Sequence, residues 1–547
     1  MVAGGSTDAR QESGIPPVLL GASQPPRPEA QFDTLVLCPP RFQASLERWV
    51  DYRRKQNFRI QVQPPGRSAY EIHQQVRAAA NGNRLRHVVI VGDAGARHVD
   101  HQDQVPTDYI MARVNVRFGS EPEIATDNSY VDISGNGVPD VSIGRIPVDS
   151  PEELTEFIDR VIAYETQPQM CDCQRRINFV AGVGGFGQLI DGVIEETTKQ
   201  IIRDLVPGSI ETSMTYGSWT SPYCPDPRRF SEAAIERFNE GCLFWVYIGH
   251  GARDRLDRVR FPDREQPILN RELVPQIECR QGSPIALFLS CYTGAVDDPE
   301  DCLAELMLKQ QQGPVATIGG SRVTMPGAMA LLSLEMLHEY FHGSAETLGE
   351  LLLLSKQRMI QGSQHNGEYR QMIEGMARTL NPATSLKAEK KEHAHLLNLL
   401  GDPLLRIRRP LRVDFGGPKK AVAGQPILLS GKLPAAGKLR LELAYTRDRL
   451  PLRFARRRDF DPSDAALDSY QPVYEAARDL VCHQVELTLP RGLFSTEFTI
   501  PAEVHGSCVI RAVLESDSGL GLGSTDIEIA KPDNAATADQ RLRRTIQ

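Results

Sequence analysis

Short apolar segments alternate with helix-like segments from residue 33 to about residue 320. The apolar segments lie at residues 34–38, 58–62, 87–91, 177–181, 242–248, 285–289 and 315–318. Strands that follow one another through intervening helices indicate a parallel sheet with crossover connections. The chain is therefore expected to have an α/β fold. From 327 to 400 the pattern is mostly helical.

The composition limits the partners that the chain is expected to have. Lys and Arg number 62 and Asp and Glu number 70, which leaves a net charge of −8. Nucleic acid is not expected as a partner, because phosphate binding needs a basic surface. No window approaches the ~20 apolar residues of a membrane span. The first residues lack the basic and apolar regions of a secretory signal, so we expect a cytoplasmic protein.

The pattern changes after residue 410, where apolar and polar residues alternate with period two, as at 439–443 and 485–489. This alternation and the intervening turn residues predict an all-β unit without helices, of the size of an immunoglobulin-like sandwich. The predicted regions are a disordered leader (1–30), an N-terminal α/β subdomain (31–170), a second α/β subdomain (171–410), the sandwich (411–531) and a flexible tail (532–547).

Two continuously apolar segments end in residues that can perform chemistry. One leads into Gly249-His250-Gly251, and the other leads into Ser290-Cys291. Ligands of open parallel sheets bind beyond the carboxyl ends of strands. A histidine within reach can activate a thiol as a nucleophile, and backbone N–H groups at Gly251 and Cys291 can stabilise an oxyanion. The alternative is a packing cysteine, which is the interpretation for Cys242 and Cys302.

Several segments resemble those of gingipain-type cysteine peptidases, which are caspase-like enzymes. The sequence YIGHG at 247–251, followed by FLSC at 288–291, is similar to the paired signature of that family. Residues 143–147 (IGRIP), 302–307 (CLAELM) and 400–403 (LGDP) resemble further family segments in the same order. It is the order of these motifs along the chain that makes the resemblance specific.

The resemblance implies a caspase-like parallel-sheet catalytic unit in two subdomains, followed by an immunoglobulin-like β-sandwich. It implies an endopeptidase in which Cys291 is the nucleophile and His250 is the general base and acid. The backbone N–H groups of Gly251 and Cys291 would stabilise the oxyanion on the way to an acyl-enzyme. Such an enzyme acts on proteins or peptides and requires no cofactor for catalysis, and its regulator or activator is not indicated.

The resemblance also implies a specificity residue. Asp191 corresponds to an aspartate that binds the basic side chain before the cleaved bond in Arg-directed members, so cleavage after Arg or Lys is predicted. The alternative is an acid that favours a helix N-terminus. Arg322, after a Gly-Gly-Ser turn, would oppose a basic substrate unless it points away. Members often carry an acidic residue near the histidine, where this chain has 183–185 (VGG), so a Cys–His dyad is expected.

A second candidate site is a calcium loop at residues 132–140. Asp132, Ser134, Asn136 and Asp140 place oxygen atoms at positions 1, 3, 5 and 9 of an EF-hand-like loop. Ile143 stands where the bidentate glutamate would be, so an ordinary turn is the alternative. The expected role of the ion is structural.

The sequence leaves alternative functions and further candidate sites open. A peptidase fold can serve as an inactive interaction module, and the same dyad can support ligation or transamidation. The basic stretch 456–458 is a candidate for self-processing. The pairs His338/His342 and His393/His395 lie on expected helices, where a solvated helical face is favoured over a zinc site.

Overall fold

A computed structural model describes residues 32–532, apart from 83, 96–103, 167–170, 184–198, 363–364, 366, 381, 383–384, 448 and 450–456. The predicted leader and most of the predicted tail therefore lie outside the described residues. Within the described ranges, no helix combines the length and the apolar character that crossing a bilayer requires.

The α/β part contains these strands, in chain order: β1 Thr34–Leu37, β2 Ile60–Gln63, β3 His87–Val91, β4 Asp108–Met111, β5 Glu123–Thr126, β6 Ser142–Ile146, β7 Arg176–Ala181, β8 Glu211–Tyr216, β9 Phe244–Ile248, β10 Arg258–Arg260, β11 Glu265–Pro267, β12 Ile285–Leu289, β13 Ala316–Gly320 and β14 Leu397–Leu400. Its helices are α1 Gln43–Lys55, α2 Ala69–Ala80, α3 Pro151–Thr166, α4 Phe230–Asn239, α5 Leu303–Lys309, α6 Pro326–His342, α7 Leu348–Gln361, α8 Gly367–Leu380 and α9 Leu386–Leu396.

One sheet spans both predicted α/β subdomains. Its ten strands follow the order β2-β1-β3-β6-β14-β13-β12-β9-β7-β8, while β4-β5 and β10-β11 form separate hairpins. Strands within each half are parallel, and the halves meet at the antiparallel pair β13–β14. The predicted parallel sheet is thus confirmed within each half. At the join it is wrong, because the two halves run in opposite directions.

Strand β14 was expected to be the end of a helical region. Its four residues are apolar or amide and fully buried, and such a short run has no periodicity that separates strand from helix. The backbones are close at this join. A Cβ on Gly144 of β6 would lie 2.8 Å from the carbonyl oxygen of Gly401, which follows β14. Glycine therefore allows β6 and β14 to pair.

Helices cover both faces of the sheet, as parallel strands require. Strand β1 shows the two sides, since Leu35 and Leu37 pack in one core with Ile72 of α2 while Val36 packs in another with Trp49 of α1. Side chains of a strand alternate between faces, which explains this division.

The C-terminal part is an all-β unit of two sheets. Its strands are β15 Leu411–Arg412, β16 Asp414–Gly416, β17 Lys420–Val422, β18 Pro426–Leu433, β19 Gly437–Tyr445, β20 Val481–Leu489, β21 Gly492–Thr499, β22 Gly506–Ser516 and β23 Gly519–Ala530. One sheet has the order β15-β23-β22-β19-β20 with β17 also on β23, and the other has the order β16-β18-β21.

Alternating side chains of both sheets, such as Leu441 from one and Leu429 and Phe498 from the other, share a core. The immunoglobulin-like identity and the domain boundaries stay predictions. The expectation that no helix interrupts the unit is wrong, because α10 Asp464–Asp468 and α11 Tyr470–Arg478 lie between β19 and β20.

Buried polar contacts join the C-terminal unit to the ten-stranded sheet. The guanidinium of Arg175, before β7, donates to both carboxylate oxygens of Glu442 in β19, at 2.8 and 3.0 Å. The hydroxyl of Tyr474 in α11 lies 2.6 Å from that of Thr215 in β8. The C-terminal unit is therefore packed against the β7–β8 edge of the large sheet.

Candidate active site

The pairing of β9 with β12 brings the predicted catalytic residues to one place. The strands run parallel in the register Phe244–Ile285 to Ile248–Leu289. The backbone N–H of Gly249 donates to the carbonyl of Leu289 at 3.3 Å, which extends the ladder by one step. His250 and Cys291 each follow two residues after the last pair, on neighbouring strands that are typically ~4.8 Å apart.

Gly251 holds the histidine loop directly against the cysteine turn. A Cβ at this position would lie 2.7 Å from the carbonyl oxygen of Cys291 and 2.9 Å from Oγ of Ser290. These distances are shorter than any ordinary contact, so a side chain would force the two segments apart. The glycine after the histidine is therefore required by this approach of the two backbones.

A buried phenol fixes the path of the histidine loop. The hydroxyl of Tyr247 donates to the carbonyl of His250 at 2.7 Å, and the backbone N–H of Asp257 donates to the same carbonyl at 3.1 Å. Burial raises the pKa of Tyr247 well above its usual value, so the phenol stays a neutral donor. The buried Tyr247 thereby anchors the loop to the core. The residue His250 itself is exposed to solvent.

The sulfur of Cys291 receives a hydrogen bond from the loop that follows β13. The backbone N–H of Thr324 donates to Sγ at 3.3 Å, and Oγ1 of Thr324 lies 3.6 Å from Sγ. The loop after β13 is thereby tied to the sulfur of the predicted nucleophile.

The other free cysteines lie in different environments. Cys38, Cys224, Cys242, Cys279, Cys302 and Cys508 are buried, and only Cys291 and Cys482 are half-buried. Burial raises the pKa of Cys482, in β20, to about 11. The packing role predicted for Cys242 and Cys302 agrees with their burial. Cys171 and Cys173 form a disulfide.

Arg322 is buried and paired with an acidic residue. Its guanidinium donates to both carboxylate oxygens of Asp297, at 2.9 and 2.6 Å, and to the carbonyl of Glu123 at 2.9 Å. The residue is 4% exposed. The positive charge that seemed to oppose a basic substrate is therefore already paired inside the protein.

The predicted specificity residue Asp191 lies outside the described residues. The segment that leads toward it begins beside the site, because the backbone N–H of Gly182 donates to the carbonyl of Ile248 at 3.0 Å. The role of Asp191 stays a prediction, and so does the absence of an acidic third member near His250.

A family comparison adds to this geometry. The family model of peptidase family C25 matches residues 27–408. The chain belongs to peptidase family C25. The predicted gingipain-type membership is confirmed.

Relatives of known function cover parts of the chain. Gingipain R2 of Porphyromonas gingivalis is 24% identical over 295 residues, which is 52% of this chain and 36% of gingipain R2. Lys-gingipain of the same organism is 24% identical over 206 residues, 37% of this chain and 11% of that protein. The chain thus spans about a third or less of the length of these two relatives.

Solved structures share the fold. The crystal structure of the Arg-specific cysteine proteinase gingipain R superposes with a TM-score of 0.53 at 17% identity, over 93% of this chain and 100% of that one. A complex of the pro- and mature domains of Porphyromonas gingivalis RgpB gives a TM-score of 0.51 at 17% identity, over 91% and 100%. The predicted caspase-like α/β fold is confirmed.

The predicted calcium loop is closed by its own hydrogen bonds. The carboxylate of Asp132 accepts from the backbone N–H groups of Asn136 and Gly137 at 3.0 and 2.8 Å. That of Asp140 accepts from the N–H and the hydroxyl of Ser134 at 2.7 and 3.2 Å. The ammonium of Lys391 donates to the carbonyl of Asn136 at 2.5 Å. The carboxylates of the loop are thus engaged in hydrogen bonds within the loop, and calcium binding stays a prediction.

The histidine pairs differ from the expectation in one case. His393 and His395 are buried, so the solvated face expected for them is wrong. Nε2 of His393 accepts the backbone N–H of Met325 at 2.6 Å, next to Thr324. His338 stacks on His365 with ring centroids 4.6 Å apart. Among the described residues, no group of three or more His, Cys, Asp or Glu side chains is arranged to hold a metal ion.

Sequence reasoning did not place beside the predicted dyad the residues that reach it from other parts of the chain. Thr324 reaches Cys291 from the loop after β13, and His393 positions that loop from α9. Neither residue lies in a motif or near the dyad in sequence. Only the folded chain brings them to the site.

Proposed function

We propose that this chain is a cysteine endopeptidase that hydrolyses peptide bonds through an acyl-enzyme formed on Cys291. The observation that carries the proposal is the parallel pairing of β9 with β12, which sets His250 beside Cys291 with Gly251 against the carbonyl of Cys291. Membership of peptidase family C25 supports the same reaction class.

The proposed reaction begins when His250 takes the proton of the Cys291 thiol and Sγ attacks the carbonyl carbon of the scissile bond. The carbonyl oxygen becomes an oxyanion, for which the amides of Gly251 and Cys291 are available, since neither has a hydrogen-bond partner among the described residues. His250 then protonates the leaving amine as the C–N bond breaks. In the second half, His250 deprotonates a water molecule, which attacks the thioester and releases Cys291.

We propose further that cleavage follows Arg or Lys, with Asp191 as the partner of the basic side chain. The names of gingipain R and Lys-gingipain among the relatives support a basic residue at this position. The pairing of Arg322 with Asp297 also supports a basic residue before the cut, because the carboxylate of Asp297 neutralises the positive charge that would repel such a side chain.

Fluorogenic peptides that vary only in the residue before the cut test the proposal. Wild type is expected to release product fastest after Arg or Lys, and Cys291→Ala and His250→Ala are expected to reduce turnover to background. Cys482→Ala is the matched control, since Cys482 is the other half-buried free cysteine and lies in the C-terminal unit. Activity that survives Cys291→Ala would reject the mechanism.

The same panel separates the remaining alternatives. Asp191→Asn is expected to abolish the preference for basic residues, and an unchanged preference would remove Asp191 from the account. Mass spectrometry of products formed with an added amine separates hydrolysis from transamidation. Peptide binding without turnover in the wild type would favour an interaction module.

A further inference from the structure

Glu121 touches both segments that carry the dyad. It lies between β4 and β5, on a hairpin from the N-terminal half of the chain. Its Oε1 accepts from Nη2 of Arg253 at 2.6 Å, and its Oε2 accepts from the hydroxyl of Tyr292 at 2.7 Å. Arg253 follows His250 by three residues, and Tyr292 follows Cys291 directly. One carboxylate therefore bridges the histidine loop and the cysteine turn.

A direct contact between the two segments closes the arrangement. The guanidinium of Arg253 lies over the ring of Tyr292, 4.7 Å from its centroid. Arg253 is held from the other side as well, because its Nε lies 2.5 Å from Oδ2 of Asp298 and its carbonyl accepts the N–H of Leu303 at 2.6 Å. Glu121, Arg253 and Tyr292 thus form a triangle in which each member contacts the other two.

Tyr292 needs such support, because it has a φ of 59°. A bulky residue in this left-handed region is uncommon, and it is strained unless the surroundings hold it. The backbone N–H of Tyr292 donates to the carbonyl of Arg322 at 3.2 Å, which fixes one end of the turn. The hydroxyl at the far end of the side chain is fixed by Glu121.

The charges around Glu121 favour its ionised form. Burial opposes ionisation, but the hydrogen bonds from Tyr292 and Arg253 outweigh it and lower the pKa of the carboxyl. Nε of Arg322 lies 3.6 Å from Oε2 and adds a second positive charge. The bridge is therefore a charged group at neutral pH.

We propose that Glu121 is a positioning residue, which holds the His250 loop and the Cys291 turn at their working separation through Arg253 and Tyr292. This inference rests on the proposed peptidase function. Glu121 itself does not act on the substrate. Its removal releases both anchors at once and lets the strained turn relax.

Steady-state kinetics of Glu121→Ala, Glu121→Gln and Tyr292→Phe test the inference. Glu121→Ala is expected to lower kcat about 10- to 100-fold while KM changes less than about threefold, because misplacement of reacting groups is costly while substrate binding is not removed. Glu121→Gln keeps an acceptor for Tyr292 but loses the charge, so it is expected to fall between Glu121→Ala and wild type. The double variant Glu121→Ala/Tyr292→Phe is expected to be little worse than the poorer single variant, as for groups that act as a unit.

The matched control is Glu265→Gln in the β10–β11 hairpin, which follows His250 in the chain. This change removes the exposed acidic partner of Arg258 and Arg260. This control is expected to keep wild-type kcat and KM. Thermal unfolding of all variants separates a local effect from loss of folded protein. A rise in KM alone in Glu121→Ala, or a loss of activity that matches the loss of folded protein, would overturn the inference.

Alkylation of Cys291 by iodoacetamide, followed by mass spectrometry from pH 5 to 9, tests positioning without any peptide substrate. The pH profile in Glu121→Ala is expected to differ from wild type, with a rate at neutral pH lower by about fivefold or more, because thiolate formation depends on the nearby histidine. If wild type hydrolyses no peptide, the proposed function is wrong. The alkylation profile still tests the positioning role of Glu121 in that case, because it needs no peptide substrate. Profiles that coincide within a factor of two would overturn the positioning role.

Discussion

The backbone N–H of Thr324 points at Sγ of Cys291 from 3.3 Å away, and the hydroxyl of the same threonine lies 3.6 Å from the sulfur. The proposed nucleophile thus has a hydrogen-bond donor from the loop after β13, and its proposed base lies in the loop after β9. Three neighbouring strands, β13, β12 and β9, each contribute one part of the site at the same edge of the sheet.

Thr324→Val keeps the shape of the side chain and the backbone donor but removes the hydroxyl. Loss of one such contact is worth on the order of 1 kcal/mol, so the rate of Cys291 alkylation and kcat are expected to fall about fivefold. Thr324→Ser is the control and should stay near wild type. Equal rates in Thr324→Val and wild type would show that the hydroxyl does not act on the sulfur.

Gly251→Ala tests the close approach of the two catalytic segments. The added Cβ would meet the carbonyl oxygen of Cys291 at 2.7 Å, so we expect a loss of kcat of about 100-fold. Gly375→Ala in α8 has open space around its Cβ and serves as the control. It should leave kcat unchanged and stabilise the helix by about 0.5–1 kcal/mol. Full activity in Gly251→Ala would contradict the described packing.

Much of the α/β sheet is predictable from the sequence because its strands are short, apolar and bounded by turns. The segment 87–91 matches β3, and 285–289 matches β12. The reversal at β14 was not predictable, because four buried residues carry no sign of strand direction. The helices α10 and α11 were not predicted, because the period-two alternation on either side of them indicated strands for the whole region.

Glu442→Ala is expected to destabilise the protein by about 2 kcal/mol, because the buried Arg175 loses its bidentate partner while it keeps Asp172 and Glu211. Urea unfolding followed by circular dichroism measures this loss. Glu486→Gln in the neighbouring strand β20 is the control, because it breaks only the solvent-exposed pair with Lys438 and should change stability far less. Equal stabilities of the two variants would mean that the buried contact contributes nothing to holding the C-terminal unit.

Stability is expected to fall as the pH decreases from about 6.5 toward 4. Burial lowers the pKa of His393 to about 4, whereas a histidine in the unfolded chain titrates near 6.5. In this window the unfolded chain binds a proton that the folded protein excludes, so the free energy of unfolding decreases by up to about 1.4 kcal/mol per pH unit.

His395 and His87 add to this dependence, because burial lowers the pKa of each to about 4. Urea unfolding at pH 7, 6 and 5 measures the slope, and His393→Gln should flatten it. A slope that is the same in the variant and in wild type would contradict the neutral, hydrogen-bonded role of His393.

The candidate site was predictable only as far as sequence motifs extend. His250, Cys291 and the glycines beside them lie in two short motifs at strand ends, and their register follows from adjacent parallel strands. The supporting contacts come from residues 33 to 171 positions away in the sequence, such as Thr324 and Glu121, and polar residues of this kind carry no local signal. The ion pair of Arg322 with Asp297 could likewise not be predicted, because the two residues are brought together only by the fold.

Hydrolysis of a peptide with Arg or Lys before the cut, compared between wild type and Cys291→Ala, tests the account most directly. Wild type should cleave after the basic residue and carry an acyl group on Cys291 that mass spectrometry detects. The Cys291→Ala variant should have no turnover, while its thermal stability equals that of wild type. Turnover that persists in Cys291→Ala, or an acyl group found on another residue, would contradict the account.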